Sequence, residues 1–468
     1  MKRSITTLLF LIVLVASSCR ISRDTPKTTA VLPDHFHDQP DDTTSIADLP
    51  WDAFFIDTTL QKLIGSAIEK NYDMQIALKN IEAAQLISAQ VRHNYLPQAS
   101  LQISANSARP SDNSLNGLSL DKFLGTSHIE DYGAVLNLSW EADIWGKIRN
   151  QQKAALAGYL QSKEARNAVQ TYIVSSVTKG FYNLLMLDAQ LSIARKNVTL
   201  NDSTLEMITL QFNAGQVSSL AVQQAQAQQQ LATQLIPQFE QAIHIQENAL
   251  KILAGELPGR IDRYQAFDQL ALPEKLSAGI PSQMISRRPD VKSRELELVT
   301  ASANIGITKA NMYPALRITA SGGVNSFLAS NWFNIPASLF GVIAGGVVQP
   351  VFQQKRLRTQ YEVAQVEQRR AVAEFRKSVL DAIGETSDAL VRIDKLKEQE
   401  NIAQLRSQNL RQATQNARML FQNGMATYLE VITAQGNVLQ SELSLTSIKR
   451  DQFHAVTDLY TALGGGWK

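Results

Sequence analysis

The sequence predicts a two-part fold, an all-α coiled-coil barrel of long helical hairpins joined to a transmembrane β-barrel, with four β-strands per chain. Three observations predict it. Two long stretches carry neither proline nor more than two glycines and repeat their apolar residues every 3.5 positions. Three segments of about ten residues alternate apolar and polar side chains, the pattern of a strand with one greasy and one wet face, and a fourth does so poorly. The whole arrangement occurs twice along the 468 residues.

The N-terminus comes first. Lys2 and Arg3 precede an apolar run from Leu8 to Val15 and the small residues Ala16-Ser17-Ser18, which reads as a secretory signal over residues 1–18. The only cysteine, Cys19, follows directly. Leu14-Val15-Ala16-Ser17-Ser18-Cys19 resembles a bacterial lipobox, which implies cleavage before Cys19 and lipid on its sulfur and amine. An export signal that happens to hold a cysteine is the alternative. Residues 19–50 contain Pro26, Pro33, Pro40 and Pro50 among many Thr and Asp, the composition of a lipidated, extended tether. His35 and His37, flanked by Asp34 and Asp38, offer metal-ligand types, but in a flexible polar stretch they read as tether, and no metal site is assigned.

The first repeat spans 51–258 and the second 280–468, with a proline-bearing linker at 259–279. Five matches occur in the same order: Tyr95-Leu96-Pro97 with Met312-Tyr313-Pro314, Asn71-Tyr72-Asp73 with Arg288-Pro289-Asp290, Phe212-Asn213-Ala214-Gly215 with Phe421-Gln422-Asn423-Gly424, Ala221 to Gln226 with Glu430 to Gln435, and Leu253-Ala254-Gly255 with Ala462-Leu463-Gly464. Each repeat opens with a helix, near 59–94 and 283–311. Period-2 segments follow. Leu101, Ile103 and Ala105 alternate with Gln102, Ser104 and Asn106; Leu136, Leu138 and Trp140 with Asn137, Ser139 and Glu141; Leu316, Ile318 and Ala320 with Arg317, Thr319 and Ser321. The fourth segment, Phe340 to Gln349, is rich in glycine and alternates poorly. The loops 108–131 and 326–338 face outward on this reading, with Trp332 and Phe333 in an aromatic girdle.

Long helices come next. Ile173, Val177, Gly180, Leu184, Leu187, Leu191, Ala194, Val198, Asn201, Leu205, Ile208 and Phe212 fall at steps of four and three, as do Val372, Phe375, Val379, Ala382, Thr386, Ala389, Ile393 and Leu396. Such a seam keeps facing its partner only in a left-handed supercoil. At 1.5 Å per residue each helix extends on the order of 100 Å. Glycine turns at Gly215 and Gly424 lead into helices of about half that length. Four strands are too few to close a barrel, since about eight are the fewest that leave room for interior side chains, and an open sheet edge in lipid strands several polar groups. Several chains must therefore share one barrel. Three chains, with twelve strands, is the smallest arrangement that also leaves an aqueous lumen; the strands call for oligomerisation and do not themselves fix the number.

These residues resemble the outer-membrane efflux protein family of the TolC/OprM/NodT type, in its lipoprotein branch. Trp140-Glu141-Ala142-Asp143-Ile144-Trp145-Gly146-Lys147 is similar to the family's strand-to-helix motif. Arg287-Arg288-Pro289-Asp290 with Glu295, followed by Ala310 to Pro314, is similar to its mid-chain signature. Gly424 to Gln435 resembles its second hairpin turn, and Ala462 to Trp467 its ending. The resemblance covers essentially the whole mature chain. It implies a TolC-like homotrimer in the outer membrane, lipid-anchored and extending through the periplasm. It also implies a periplasmic membrane-fusion adaptor and an inner-membrane transporter of the resistance–nodulation–division (RND) class as partners. The expected function is a passive exit channel for drug-like or toxic small molecules.

The same resemblance points to particular residues. Glu430 and Thr433 align with a doubled acidic ring at the periplasmic aperture, where Thr433 replaces the second carboxylate. Three copies of Glu430 near an axis attract cations; a solvated glutamate on a helix face is the competing reading. Gly215, Gln216, Gly424 and Met425 align with turns that meet adaptor tips, and simple helix capping by the glycines is compatible with that.

Composition narrows the remaining classes. Charged residues make up 19% and apolar ones 44%, with 45 basic and 43 acidic side chains, so nothing asks for nucleic acid. The six histidines are scattered, and neither a phosphate loop nor a nucleophile elbow is present, so no catalytic residue and no cofactor beyond the lipid on Cys19 is assigned. Two other readings fit part of the pattern: a type I protein-secretion channel, and a structural coiled-coil lipoprotein without a pore.

Overall fold

The computed structural model describes residues 44–273 and 276–468. The chain runs α1 (Trp51–Phe54), α2 (Thr58–Lys70), α3 (Tyr72–Arg92), β1 (Gln98–Ala108), α4 (Leu115–Leu124), β2 (Ile129–Glu141), α5 (Lys147–Asn213) and α6 (Ser219–Leu253). It continues through α7 (Pro281–Arg287), α8 (Pro289–Ala310), β3 (Ala315–Ser326), β4 (Leu339–Val348), α9 (Arg356–Gln422) and α10 (Tyr428–Ala462). Both long helices have 67 residues and both that follow them have 35. Among the described residues, no helix is long and apolar enough to cross a membrane.

Two opening helices were expected unbroken, and each is split. Asn71 leaves the helical region and its Oδ1 accepts from the N–H groups of Asp73 (2.8 Å) and Met74 (3.3 Å), so it restarts the chain as an N-cap. Arg288 is extended because Pro289 disfavours helical backbone in the residue before it, and Pro289 then occupies the first helical position. Pro237 sits inside α6 without ending it.

Two compact units draw residues from both repeats. The first holds 83–160 and 296–373. Its centre is an antiparallel sheet in the order β1-β2-β3-β4, registered by Leu101 opposite Leu136, Leu136 opposite Gly322 and Gly322 opposite Gly341. Small buried residues, Ala157, Ala303, Ala310, Ala364 and Ala371, let its helix backbones approach closely. The loop expected at 108–131 contains α4, a ten-residue helix that starts just after Ser114. The second unit holds 44–82, 161–295 and 374–468, less the two undescribed positions. Its core joins Leu60 and Ile64 of α2, Ile173, Val177 and Leu184 of α5, Leu250 of α6, Met284 of α7, Val379 and Ala382 of α9, and Leu459 and Tyr460 of α10. The Tyr460 ring stacks on Phe54 with centroids 4.2 Å apart. The 3.5-residue seam is buried or half-buried from Ile173 to Ile208; Phe212, at the helix end, is exposed.

Candidate functional site

Register sorts the sheet residues onto two faces. One carries Leu101 and Ile103 of β1, Ala134, Leu136 and Leu138 of β2, Ile318, Ala320 and Val324 of β3, and Leu339, Ile343 and Val347 of β4. Much of this apolar surface is bare: Leu101, Ile103, Ile343 and Val347 are all more than half exposed. The other face carries Ser100, Gln102, Ser104, Asn137, Ser139, Arg317, Thr319 and Ser321 on β1 to β3. Strand β4 departs from this pattern, placing Phe340, Val342 and Ala344 on the polar side. Each of β1 and β4 ends the strand order, so one edge of each lacks a strand partner among the described residues.

Aromatic residues cluster at both ends of the sheet. Trp332 packs between Tyr132 and Phe333, with centroids 5.7 and 4.9 Å away. At the opposite end, the Trp140 indole N–H donates to the Tyr95 carbonyl and the Trp145 indole N–H to the Pro314 carbonyl, both at 2.7 Å, and Trp145 leans on Tyr313. The sequence reading assigns only Trp332 and Phe333 to a girdle; it marks Trp140 and Trp145 as parts of a strand-to-helix motif and Tyr95 and Tyr313 as repeat positions. The Leu-Pro and Tyr-Pro echoes were the available signal for the second, since these turns supply its carbonyl acceptors. The Asp143 carboxylate accepts from the backbone N–H of Ile148 (2.9 Å) and Arg149 (3.1 Å), closing the first turn of α5.

In the second unit the two helical hairpins end in matching turns. Gly215 and Gly424 adopt φ of 73° and 70°, a left-handed conformation that disfavours any side chain with a Cβ. The N–H of Gly215 donates to Phe212 O and that of Gln216 to Gln211 O, each at 2.9 Å. Gly424 and Met425 repeat this with Phe421 O (3.1 Å) and Leu420 O (2.8 Å), so both helices end in a Schellman motif. All four turn residues are exposed. Just behind them Ile208, Ala221, Ala225, Phe421 and Val431 form a small core between the hairpins, and the buried Gln435 donates its Nε2–H to Thr204 Oγ1 at 2.8 Å.

Glu430 and Thr433 both lie exposed on the first turns of α10. Glu430 also has a local task the sequence reading missed: its Oε2 accepts from the Thr427 N–H at 2.6 Å. The Thr-x-x-Glu spacing was the signal for this capping box. The first hairpin has Ala221 at the equivalent position and no such carboxylate.

The mid-chain motif folds around Arg288. Its guanidinium grips Asp290 with Nε and Nη2 (3.0 and 2.7 Å), reaches Glu385 Oε2 with Nη1 (2.7 Å), and donates to the Ala462 carbonyl (3.2 Å). Burial alone raises the Asp290 carboxyl, but the Arg288 pair outweighs it and holds that group below the ordinary aspartate range. The linker carries a second buried ionic knot unmarked in the sequence. Arg263 meets Asp188 at 2.5 Å and Glu247 at 2.6 Å, and Glu247 is 3% exposed. Burial opposes ionisation of Glu247, yet its bonds from Arg263 and the Ile261 N–H keep it below the usual glutamate range. Cys19, His35 and His37 lie outside the described residues. Among those described, no group of three or more His, Cys, Asp or Glu is placed to hold a metal ion.

The family model described as outer membrane efflux protein matches residues 63–256 and 280–465. The chain is similar to the cation efflux system protein CusC of Escherichia coli O6:H1, 26% identical over 469 residues and 98% of each chain. It is 31% identical, over 424 residues, to the solvent efflux pump outer membrane protein SrpC of Pseudomonas putida, covering 88% of this chain and 87% of the relative. A solved structure of CusC aligns with a TM-score of 0.83 at 25% identity, covering 96% of this chain and 100% of that one.

Proposed function

The chain belongs to the outer membrane efflux protein family and has the fold of its TolC-like channels, and from that premise we propose that it works as the outer-membrane exit duct of a tripartite efflux pump. One observation carries this reading: a four-stranded sheet with a bare apolar face and two edges that lack a strand partner among the described residues. Such a sheet suits lipid only when further copies close it. Three copies supply twelve strands around a wet lumen, with the polar face inward. Helices of 67 residues, about 100 Å each, suit a conduit across the periplasm. At its far end the turns at Gly215, Gln216, Gly424 and Met425 receive a membrane-fusion adaptor, which couples the duct to an RND-type inner-membrane transporter. That transporter supplies the energy; the duct conducts small molecules passively and performs no covalent chemistry.

Conductance of the purified protein in a planar bilayer tests the reading, and a protein that forms no conducting oligomer refutes it. In the same apparatus Glu430→Gln is expected to lower the potassium-to-chloride permeability ratio about twofold. Glutamine serves a capping box as glutamate does, so the variant removes charge and keeps the turn. An unchanged ratio removes Glu430 from the aperture.

Acylation of Cys19 completes the proposal. Mass spectrometry of the mature N-terminus is expected to find the chain starting at Cys19 with two or three acyl chains, enough for stable anchoring. An unmodified thiol there excludes the lipoprotein reading.

A further inference from the structure

Arg317 and Glu141 stand opposite each other across β3 and β2, on the polar face and at the sheet end that leads into α5. Arg317 Nη2 lies 3.4 Å from Glu141 Oε2, while Lys147 Nζ lies 3.0 Å from Glu141 Oε1. One carboxylate therefore answers two cations. The neighbouring Asp143 carboxylate accepts from the backbone N–H groups of Ile148 and Arg149 that open α5 and from the Tyr95 hydroxyl at 3.4 Å. At Glu141 two cations share one carboxylate, and the more distant of them, Arg317, is the less fully paired.

Its surroundings keep that charge effective. The cluster borders a cleft of about 190 Å³ whose walls include Ala315, Val348 and Pro350, apolar groups that screen poorly. On β4 the residue paired with Arg317 is Gly346, which puts no side chain in front of the guanidinium. The Arg317 side chain is 57% exposed, against 31% for Lys147 and 27% for Glu141, so the unbalanced cation is also the accessible one.

We propose that Arg317 is a selectivity-determining residue, forming in the assembled channel a cationic collar where the strands meet the helices, which draws anions and the anionic groups of amphiphilic cargo. This rests on the reading of the polar face as the lumen. The collar acts against the acidic ring proposed at Glu430, so a pore with both discriminates between ions less than one with either alone.

The test is the potassium-to-chloride permeability ratio of the full-length protein in a planar bilayer under a salt gradient. Arg317→Gln is expected to raise the ratio about twofold, the scale of one unit charge acting at about 10 Å in water. Thr319→Lys, which adds a cation on the same face two residues along β3, is expected to lower it. Both effects should fade near 1 M salt, where the screening length falls to about 3 Å. Channels that conduct while neither variant moves the ratio overturn this inference and leave the exit-duct reading intact. Wild-type protein that does not conduct overturns both.

Discussion

Ile343→Arg is expected to strip the protein from the outer membrane, whereas Val342→Arg, one residue away, leaves it inserted. Ile343 is the fifth of ten residues in β4, faces the apolar side opposite Ala320, and is 83% exposed. Mid-strand on the lipid face, an arginine costs about 2–4 kcal/mol. A trimer carries that penalty three times, and folded proteins hold only about 5–15 kcal/mol in total. Val342 sits on the opposite face, across from Ser321, the face that the exit-duct reading turns toward water. Recovery of heat-modifiable oligomer from isolated outer membranes checks the pair. Equal recovery of both variants means that the sheet has no lipid face, and the exit-duct reading fails with it. A charge near the strand end, as in Val347→Arg, costs about 0–1 kcal/mol, which makes the effect graded with depth.

The elements themselves were legible because their causes are local. A helix of 67 residues needs only an uninterrupted run without proline and a seam every 3.5 positions, and both are visible in a single sequence. Strands β1 to β3 were marked by alternation for the same reason. Strand β4 was marked more weakly, because Phe340, Val342 and Ala344 are apolar on the face where its neighbours are polar. Helix α4 was read as loop. A ten-residue segment with Leu115, Leu118 and Phe123 at least half exposed has too little buried surface to leave a periodic pattern. The hairpin turns were found through their glycines, but the capping bond of Glu430 was not, although its spacing was in view. What stayed out of reach were contacts between residues far apart in the chain. Glu141 and Arg317 are 176 positions apart and Arg288 and Ala462 are 174 apart. Contacts of this kind have no period, so only the fold brings them together.

Arg288→Ala is expected to lower stability by about 2–4 kcal/mol, well above the typical single substitution. Four bonds to three elements depend on this side chain: the start of α8 through Asp290, the middle of α9 through Glu385, and the last carbonyl turn of α10 through Ala462. Arg288 itself is 8% exposed. Asp290 and Glu385 still reach solvent after the change, which keeps the loss toward the lower half of that for a fully buried pair. The C-terminal end of α10 also loses a cation favourable to its dipole. Arg288→Lys should recover little, since one ammonium replaces neither the two-pronged grip on Asp290 nor the fork that spans Glu385 and Ala462. The pH dependence has a definite sign. The Asp290 carboxyl is held below its ordinary value in the folded chain, so its contribution is present above the unfolded pKa of about 3.9. That contribution is lost as pH falls through the folded value. The gap between wild type and Arg288→Ala should therefore be widest near neutrality and narrow in acid. Thermal unfolding of detergent-solubilised protein at both pH values measures it. A gap that is the same in acid, or an Arg288→Lys variant as stable as wild type, means that packing around the side chain, and not the paired charges, holds these three elements together.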